Sequence, residues 1–102
     1  MLTKLIDDVV TWGYDKGILL DPCAKTQALK TVSEVGEFAD NIAKGRDVKD
    51  DIGDILVTLI LQCEIQDTSL EECLNIAYSQ IRDRRGMMVD GIFIKEGDDC
   101  GC

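Results

Sequence analysis

Two acidic pairs stand close together in this chain: Glu34 and Glu37 in EVGE, and Asp51 and Asp54 in DIGD, each at i,i+3 with a glycine just before the second acid. On a helix, residues three apart are separated by about 4.5 Å of rise and point to nearly the same side, so each pair presents its carboxylates together. Gly45 lies between the pairs and marks a helix end and chain reversal. Counted from that turn at about 1.5 Å per residue, Glu37 and Asp54 stand at matching heights of about 10 Å, with Glu34 one turn above and Asp51 one turn below. Four ionised carboxylates converging there would repel one another severely, so the arrangement makes sense around a bound cation. Mg²⁺ is the candidate, with Mn²⁺ as a substitute, because a hard cation takes oxygen ligands and shares its remaining positions with water and phosphates. The D-x-D-x-D-G spacing of a calcium EF-hand is missing. Gly36 and Gly53 each cost about 1 kcal/mol relative to Ala in a helix interior, which predicts a close approach of backbones beside the acids. The competing reading is coincidence: with 20 acidic residues single pairs arise by chance, and Asp7, Asp8, Glu71 and Glu72 read as solvated faces.

The elements that must carry these residues are helices. Leu2, Leu5, Ile6, Val9 and Trp12 recur at helical spacing and predict a first helix over about 2–16, ending near Gly17. Asp21 and Pro22 read as N-cap and first-turn residue of a second helix running to about Lys44. Its apolar stripe is Ala28, Val32, Val35, Ala39 and Ile42; Gln27, Lys30, Glu34, Glu37 and Asn41 form a second, polar stripe. Asp47 reads as N-cap of a third helix reaching about Gln66, and its segment ILVTLILQC is apolar almost all round, unlike a surface helix. Both sides of that helix need cover that one short chain supplies poorly, so a homodimer or homotetramer is expected, with the third helix near its centre. SLEE at 69–72 is a capping box opening a fourth helix to about Arg85, with Leu70, Cys73, Leu74, Ala77 and Ile81 inward. MMVDGIFI, with Asp90-Gly91 between apolar residues, predicts a hairpin or an extended arm. The fold class is therefore all-α: a four-helix bundle-like protomer with a C-terminal extended arm or hairpin, one domain over 1–96, and a short flexible tail over 97–102.

Composition narrows the chemistry. The 102 residues carry a formal charge of -9, which argues against a protein that embraces a nucleic-acid backbone but leaves free nucleotides open. No run approaches the roughly 18 apolar residues of a membrane span, and the start lacks a signal-peptide layout, so no membrane partner and a cytoplasmic location are expected. Histidine is absent, which excludes a His-based triad and a His-ligated metal. Five cysteines cannot all pair within one chain and show no zinc spacing; Cys23, Cys63 and Cys73 read as small core residues, and Cys100 and Cys102 as part of a frayed tail.

Gln27, Lys30 and EVGE followed by DIGD resemble the ExxE…ExxD signature of the MazG-like all-α nucleoside triphosphate pyrophosphohydrolases. RDRRGMMVDGIFIKE also resembles the C-terminal arm of short members, so the likeness covers about 10–96. It implies Mg²⁺-dependent hydrolysis of a nucleoside triphosphate to the monophosphate and pyrophosphate, by a dimer or dimer of dimers. Carried over, Glu34, Glu37, Asp51 and Asp54 would hold metal. Asp51 stands where relatives usually have Glu, and Ser33 where many have a further glutamate, which leaves the general base open between Glu34 and Glu37. Lys30 is placed either for a phosphate or in an ion pair with Glu34. Arg84, Arg85 and Lys95, more than Arg82, are placed for the triphosphate, the alternative being a favourable helix-end charge. Trp12 could stack on a base, but its position on the apolar stripe favours core packing. Against the enzyme stand two alternatives: a non-catalytic helical oligomer, and a metal-dependent nucleotide-binding sensor.

Overall fold

A computed structural model describes residues 1–97; the expected tail beyond Gly97, with Cys100 and Cys102, lies outside them. Among the described residues there are four helices and one hairpin: α1 (Leu2–Asp15), α2 (Ala24–Ala43), α3 (Lys49–Ile65), α4 (Leu70–Ile81), β1 (Gly86–Val89) and β2 (Ile92–Lys95). They fall into two compact units, Met1–Leu70 and the segment from Glu71 onward. No described helix is long and apolar enough to cross a membrane.

In the first unit α3 is the central element, packed by α2 on one side and α1 on another. Gly45 turns the chain between α2 and α3 at a positive φ of 68°. Around it the Arg46 N–H donates to the Asn41 carbonyl and the Gly45 N–H to the Ile42 carbonyl, the paired closure that satisfies the last carbonyls of a helix. The Asp47 carboxylate accepts from the Lys49 N–H at 3.3 Å, but the cap position itself is Val48. At the start of α2 the cap is likewise Cys23 and not Asp21, which sits in the turn at φ 54°.

α1 meets α3 where Gly13 is buried. A Cβ added there would lie 2.6 Å from Leu61 Cδ2 and 2.9 Å from Leu19 Cδ1, so this glycine lets two helices come together. Close by, Tyr14 Oη donates to Glu64 Oε1 at 3.0 Å. The close approach expected at Gly36 and Gly53 is absent: an added Cβ at either finds nothing within 4 Å among the described residues.

The facing of α2 overturns the expectation from its apolar stripe. Val32, Val35 and Ile42 are 67%, 44% and 54% exposed, and the stripe that meets α3 is the polar one. Among the described residues the buried apolar side chains are Leu19, Ile60 and Leu61, against buried Gln27, Glu34, Asp51 and Thr58. On α3 a second apolar line, Ile52, Leu56 and Leu59, is also exposed. The periodicity located these faces, and among the described residues they stand exposed.

In the second unit α4 buries none of its residues. Leu74 and Ile81 are 70% and 49% exposed and Cys73 is exposed, contrary to the expected inward set, and the helix ends at Ile81 instead of near Arg85. Cys23 is exposed as well, and Cys63 half-buried, so neither helical thiol is a core residue of the kind expected. The hairpin pairs antiparallel, Met87 opposite Ile94 and Val89 opposite Ile92. Asp90 and Gly91 take positive φ of 50° and 80°, the two left-handed residues of a tight turn whose twist matches its strands.

Candidate metal and nucleotide site

The interface between α2 and α3 is a ladder of polar contacts. At one end Gln62 Nε2 donates to the Ala24 carbonyl at 3.1 Å and Gln27 Nε2 to the Thr58 carbonyl at 3.0 Å. Thr31 Oγ1 lies 2.9 Å from Thr58 Oγ1, whose own hydroxyl reaches the Ile55 carbonyl at 2.7 Å. At the turn end Asn41 Nδ2 donates to both oxygens of Asp51, at 3.2 and 3.1 Å, while Asn41 Oδ1 accepts from Arg46 Nη1 at 3.3 Å. Every buried side-chain nitrogen and oxygen among the described residues has a partner. A helix interface built this way orients groups with fixed directions, at the expense of apolar burial.

Between these ends lie the acids. Glu34 is 8% exposed and takes an ion pair from Lys30 Nζ at 3.0 Å, so the ion-pair alternative for Lys30 is realised. That bond to Lys30 holds the Glu34 carboxyl below its ordinary value, and Glu34 in turn raises Lys30, which also feels Glu37 and Asp54. The Glu37 carboxyl is pushed up from its usual 4.5, first by a hydrogen bond to Glu34 and by the charge of Glu34, and further by burial and Asp51. Asp54 is pushed up from 3.8, first by burial and then by the charges of Asp50, Glu34 and Asp51. Asp51 lies in the first turn of α3, where the helix dipole favours an anion.

Glu34 and Asp51 therefore each act on Glu37 and on Asp54 around the α2–α3 turn, with Lys30 as the cation these shifts record. As the side chains stand, no group of three or more potential ligands among the described residues is drawn into coordinating geometry. The donor set nevertheless fits a hard divalent cation. It is all oxygen, it is crowded enough to raise two of its own carboxyls, and a divalent charge relieves that repulsion.

Arg84, Arg85 and Lys95 lie in the second unit, where all three line one open hollow of about 430 Å³ with Gln80, Asp83 and Glu96. Arg82 does not line it and pairs with Asp83 at 3.4 Å. Sequence reasoning missed Asn41 as the group that holds Asp51. The signal was available, because Asn41 continues the polar stripe of Gln27, Lys30, Glu34 and Glu37 at helical spacing, next to the turn that leads to Asp51. Trp12, expected in the core, is 45% exposed and borders two hollows, one reaching Lys30 and the other Asp54.

The segment that carries the α2–α3 acids matches a known family. The family model described as MazG nucleotide pyrophosphohydrolase domain matches residues 24–87, from the start of α2 into the hairpin. An uncharacterized 18.2 kDa protein from the rep-hol intergenic region of Haemophilus phage HP1 (strain HP1c1) is 31% identical over 62 residues, 59% of this chain and 38% of that protein. The chain thus matches well under half the length of that relative. No solved structure matches. With its α2–α3 acids inside a match that covers most of its length, the chain belongs to the MazG nucleotide pyrophosphohydrolase domain family.

Proposed function

We infer that this protein is a Mg²⁺-dependent nucleoside triphosphate pyrophosphohydrolase that converts a (d)NTP and water to the (d)NMP and pyrophosphate. The observation that carries the reading is that the α2–α3 interface buries two carboxylates, Glu34 paired with Lys30 at 3.0 Å and Asp51 held by Asn41 at 3.1 Å. Glu34, Glu37, Asp51 and Asp54 would hold the cation, Mg²⁺ or Mn²⁺ in its place. When bound, it supplies charge neutralisation for the triphosphate and the departing pyrophosphate.

The protein's own groups divide the remaining work. Glu34 or Glu37, whichever carboxylate the cation leaves uncommitted, would take the proton of the attacking water. That water attacks the α-phosphorus, the bond from it to the bridging oxygen of the β-phosphate breaks, and pyrophosphate leaves. Lys30 offers its charge to a phosphate while orienting Glu34. Within the second unit, Arg84, Arg85 and Lys95 gather donors of the kind a polyphosphate takes. The outward stripes of α2 and α3 support assembly as a homodimer or dimer of dimers, closing a helical bundle that one chain leaves open. Free cytoplasmic nucleotides, not nucleic acid, are the substrates this acidic chain suits.

The test is a panel of NTPs and dNTPs with Mg²⁺, scoring pyrophosphate against orthophosphate, with Glu37→Gln beside the wild type. Pyrophosphate release that the variant loses by at least about 100-fold supports the reading, since a positioned acid–base group contributes about 10²–10⁴. Orthophosphate alone contradicts the reaction. Silence across the panel with nucleotide still bound favours the sensor, and silence without binding the scaffold.

A further inference from the structure

Trp12 sits on the common wall of two hollows in the Met1–Leu70 unit. One, about 300 Å³, has Ile18, Val57 and Leu61 as apolar walls and reaches Gln27, Lys30 and Thr58. The other, about 380 Å³, runs past Leu5 and Val9 to Asp54. A single indole therefore borders one space ending at the partner of Glu34 and another ending at an acid of α3. It is 45% exposed, lines both hollows and stands on a helix whose neighbouring Gly13 is buried.

The slot toward Lys30 has the build of a small-ligand site, with apolar walls and few polar groups. Its polar side is pinned, because Gln27 Nε2 is bonded to the Thr58 carbonyl and Thr58 Oγ1 to Thr31. Its size is at the bottom of the usual range of about 300–1,000 Å³ for ligand pockets, enough for one ring system with the charged remainder of a nucleotide outside. Outside, on the Lys30 side, is where a triphosphate would meet the cation and the carboxylates.

We propose that Trp12 is the base-stacking residue of this site: a planar nucleobase lies on its indole in the slot walled by Ile18, Val57 and Leu61, and the phosphates emerge at Lys30. The identity of the ligand as a nucleotide rests on the hydrolase reading above; the stacking itself requires no turnover. Stacking on an indole accepts any base, because each has a π-face, so this residue selects for a nucleoside over a bare polyphosphate and leaves base choice to the slot's edge.

Trp12 is the only tryptophan in the chain, so its emission reports this position alone. The wild type is titrated in Mg²⁺ buffer with each of the four common deoxynucleoside monophosphates, with ribose 5-phosphate and with tripolyphosphate. Saturable quenching by the monophosphates and none by the two base-free probes is expected. By calorimetry, Trp12→Leu, which keeps an apolar side chain without a π-face, weakens monophosphate binding about 5- to 150-fold, the usual value of one base–aromatic stack. Tripolyphosphate affinity stays unchanged, and Trp12→Phe recovers most of the loss. Equal quenching by tripolyphosphate, or undiminished monophosphate binding by folded Trp12→Leu, overturns the proposal. Base-dependent quenching in a protein that turns over no nucleoside triphosphate sinks the hydrolase reading and leaves the stacking assignment standing; turnover without such quenching does the reverse.

Discussion

Removing the amide of Asn41 tests whether the carboxylates act as a positioned set. Asn41 Nδ2 holds both oxygens of a buried Asp51 at 3.2 and 3.1 Å and is itself held by Arg46. These bonds are longer than the roughly 2.7–2.9 Å of strong charge-assisted pairs. Their joint contribution therefore belongs at the low end of the usual range, about 1.5 kcal/mol. Asn41→Ala should lower the metal-free melting temperature by about 6–12 °C, at about 4–8 °C per kcal/mol for a domain of this size. It should also weaken Mg²⁺ about tenfold, the lower bound for losing a group that orients a ligand. The assay is a Mg²⁺ titration followed both by melting temperature and by pyrophosphate release. The half-saturating concentration should rise about tenfold while kcat at saturating Mg²⁺ stays within about twofold, since Asn41 touches no reacting atom. A half-saturation unchanged from wild type, or a kcat that collapses even at high Mg²⁺, would refute the idea that Asn41 works through Asp51.

Gly13→Val drives new carbons into Leu61 and Leu19, and at about 1–3 kcal/mol for overpacking should lower the melting temperature by about 10 °C; an unchanged melt would mean α1 shifts freely on α3. Gly36→Ala and Gly53→Ala, with nothing within 4 Å, should each raise stability by about 0.5–1 kcal/mol, and a loss in the denaturant midpoint would reveal a second backbone against them. Glu37 and Asp54 have raised carboxyls, so their contribution to stability is complete below their ordinary values and lost as pH rises through the folded ones. Glu34, lowered by Lys30, works oppositely and keeps its contribution above 4.5. Above the ordinary value of Glu34 only the raised acids still change with pH, so melting temperature without metal should fall as pH rises toward 7, and saturating Mg²⁺ should flatten that slope; equal slopes with and without Mg²⁺ would count against a cation among them. Arg85→Ala should raise KM for a nucleoside triphosphate about tenfold, the loss of one charge-assisted contact, while Arg82→Ala, whose side chain pairs with Asp83, stays within about twofold.

Local features were legible in the sequence because they are decided locally. Gly45 closes α2 as its position suggested, Asp90-Gly91 makes the turn of the hairpin, and the i,i+3 acids share the α2–α3 junction. What failed was long-range. Gly13 and Leu61 are far apart in sequence, and no spacing within α1 announces that they touch, so the glycines singled out were the wrong ones. The stripe of Val32, Val35 and Ile42 signalled a face that needs cover, but periodicity does not name the covering surface. The pairing of α2 with α3 is made by Gln27, Thr31, Glu34 and Asn41. Trp12 was assigned to the core by the same logic, and for the same reason it stands half in solvent.

The outward set on α2 makes abundance a variable of this molecule's life. Under the self-assembly proposed above, a newly synthesised copy would carry an oily strip that water wets badly until a second copy covers it. Dilution should then shorten its survival and a higher local copy number lengthen it.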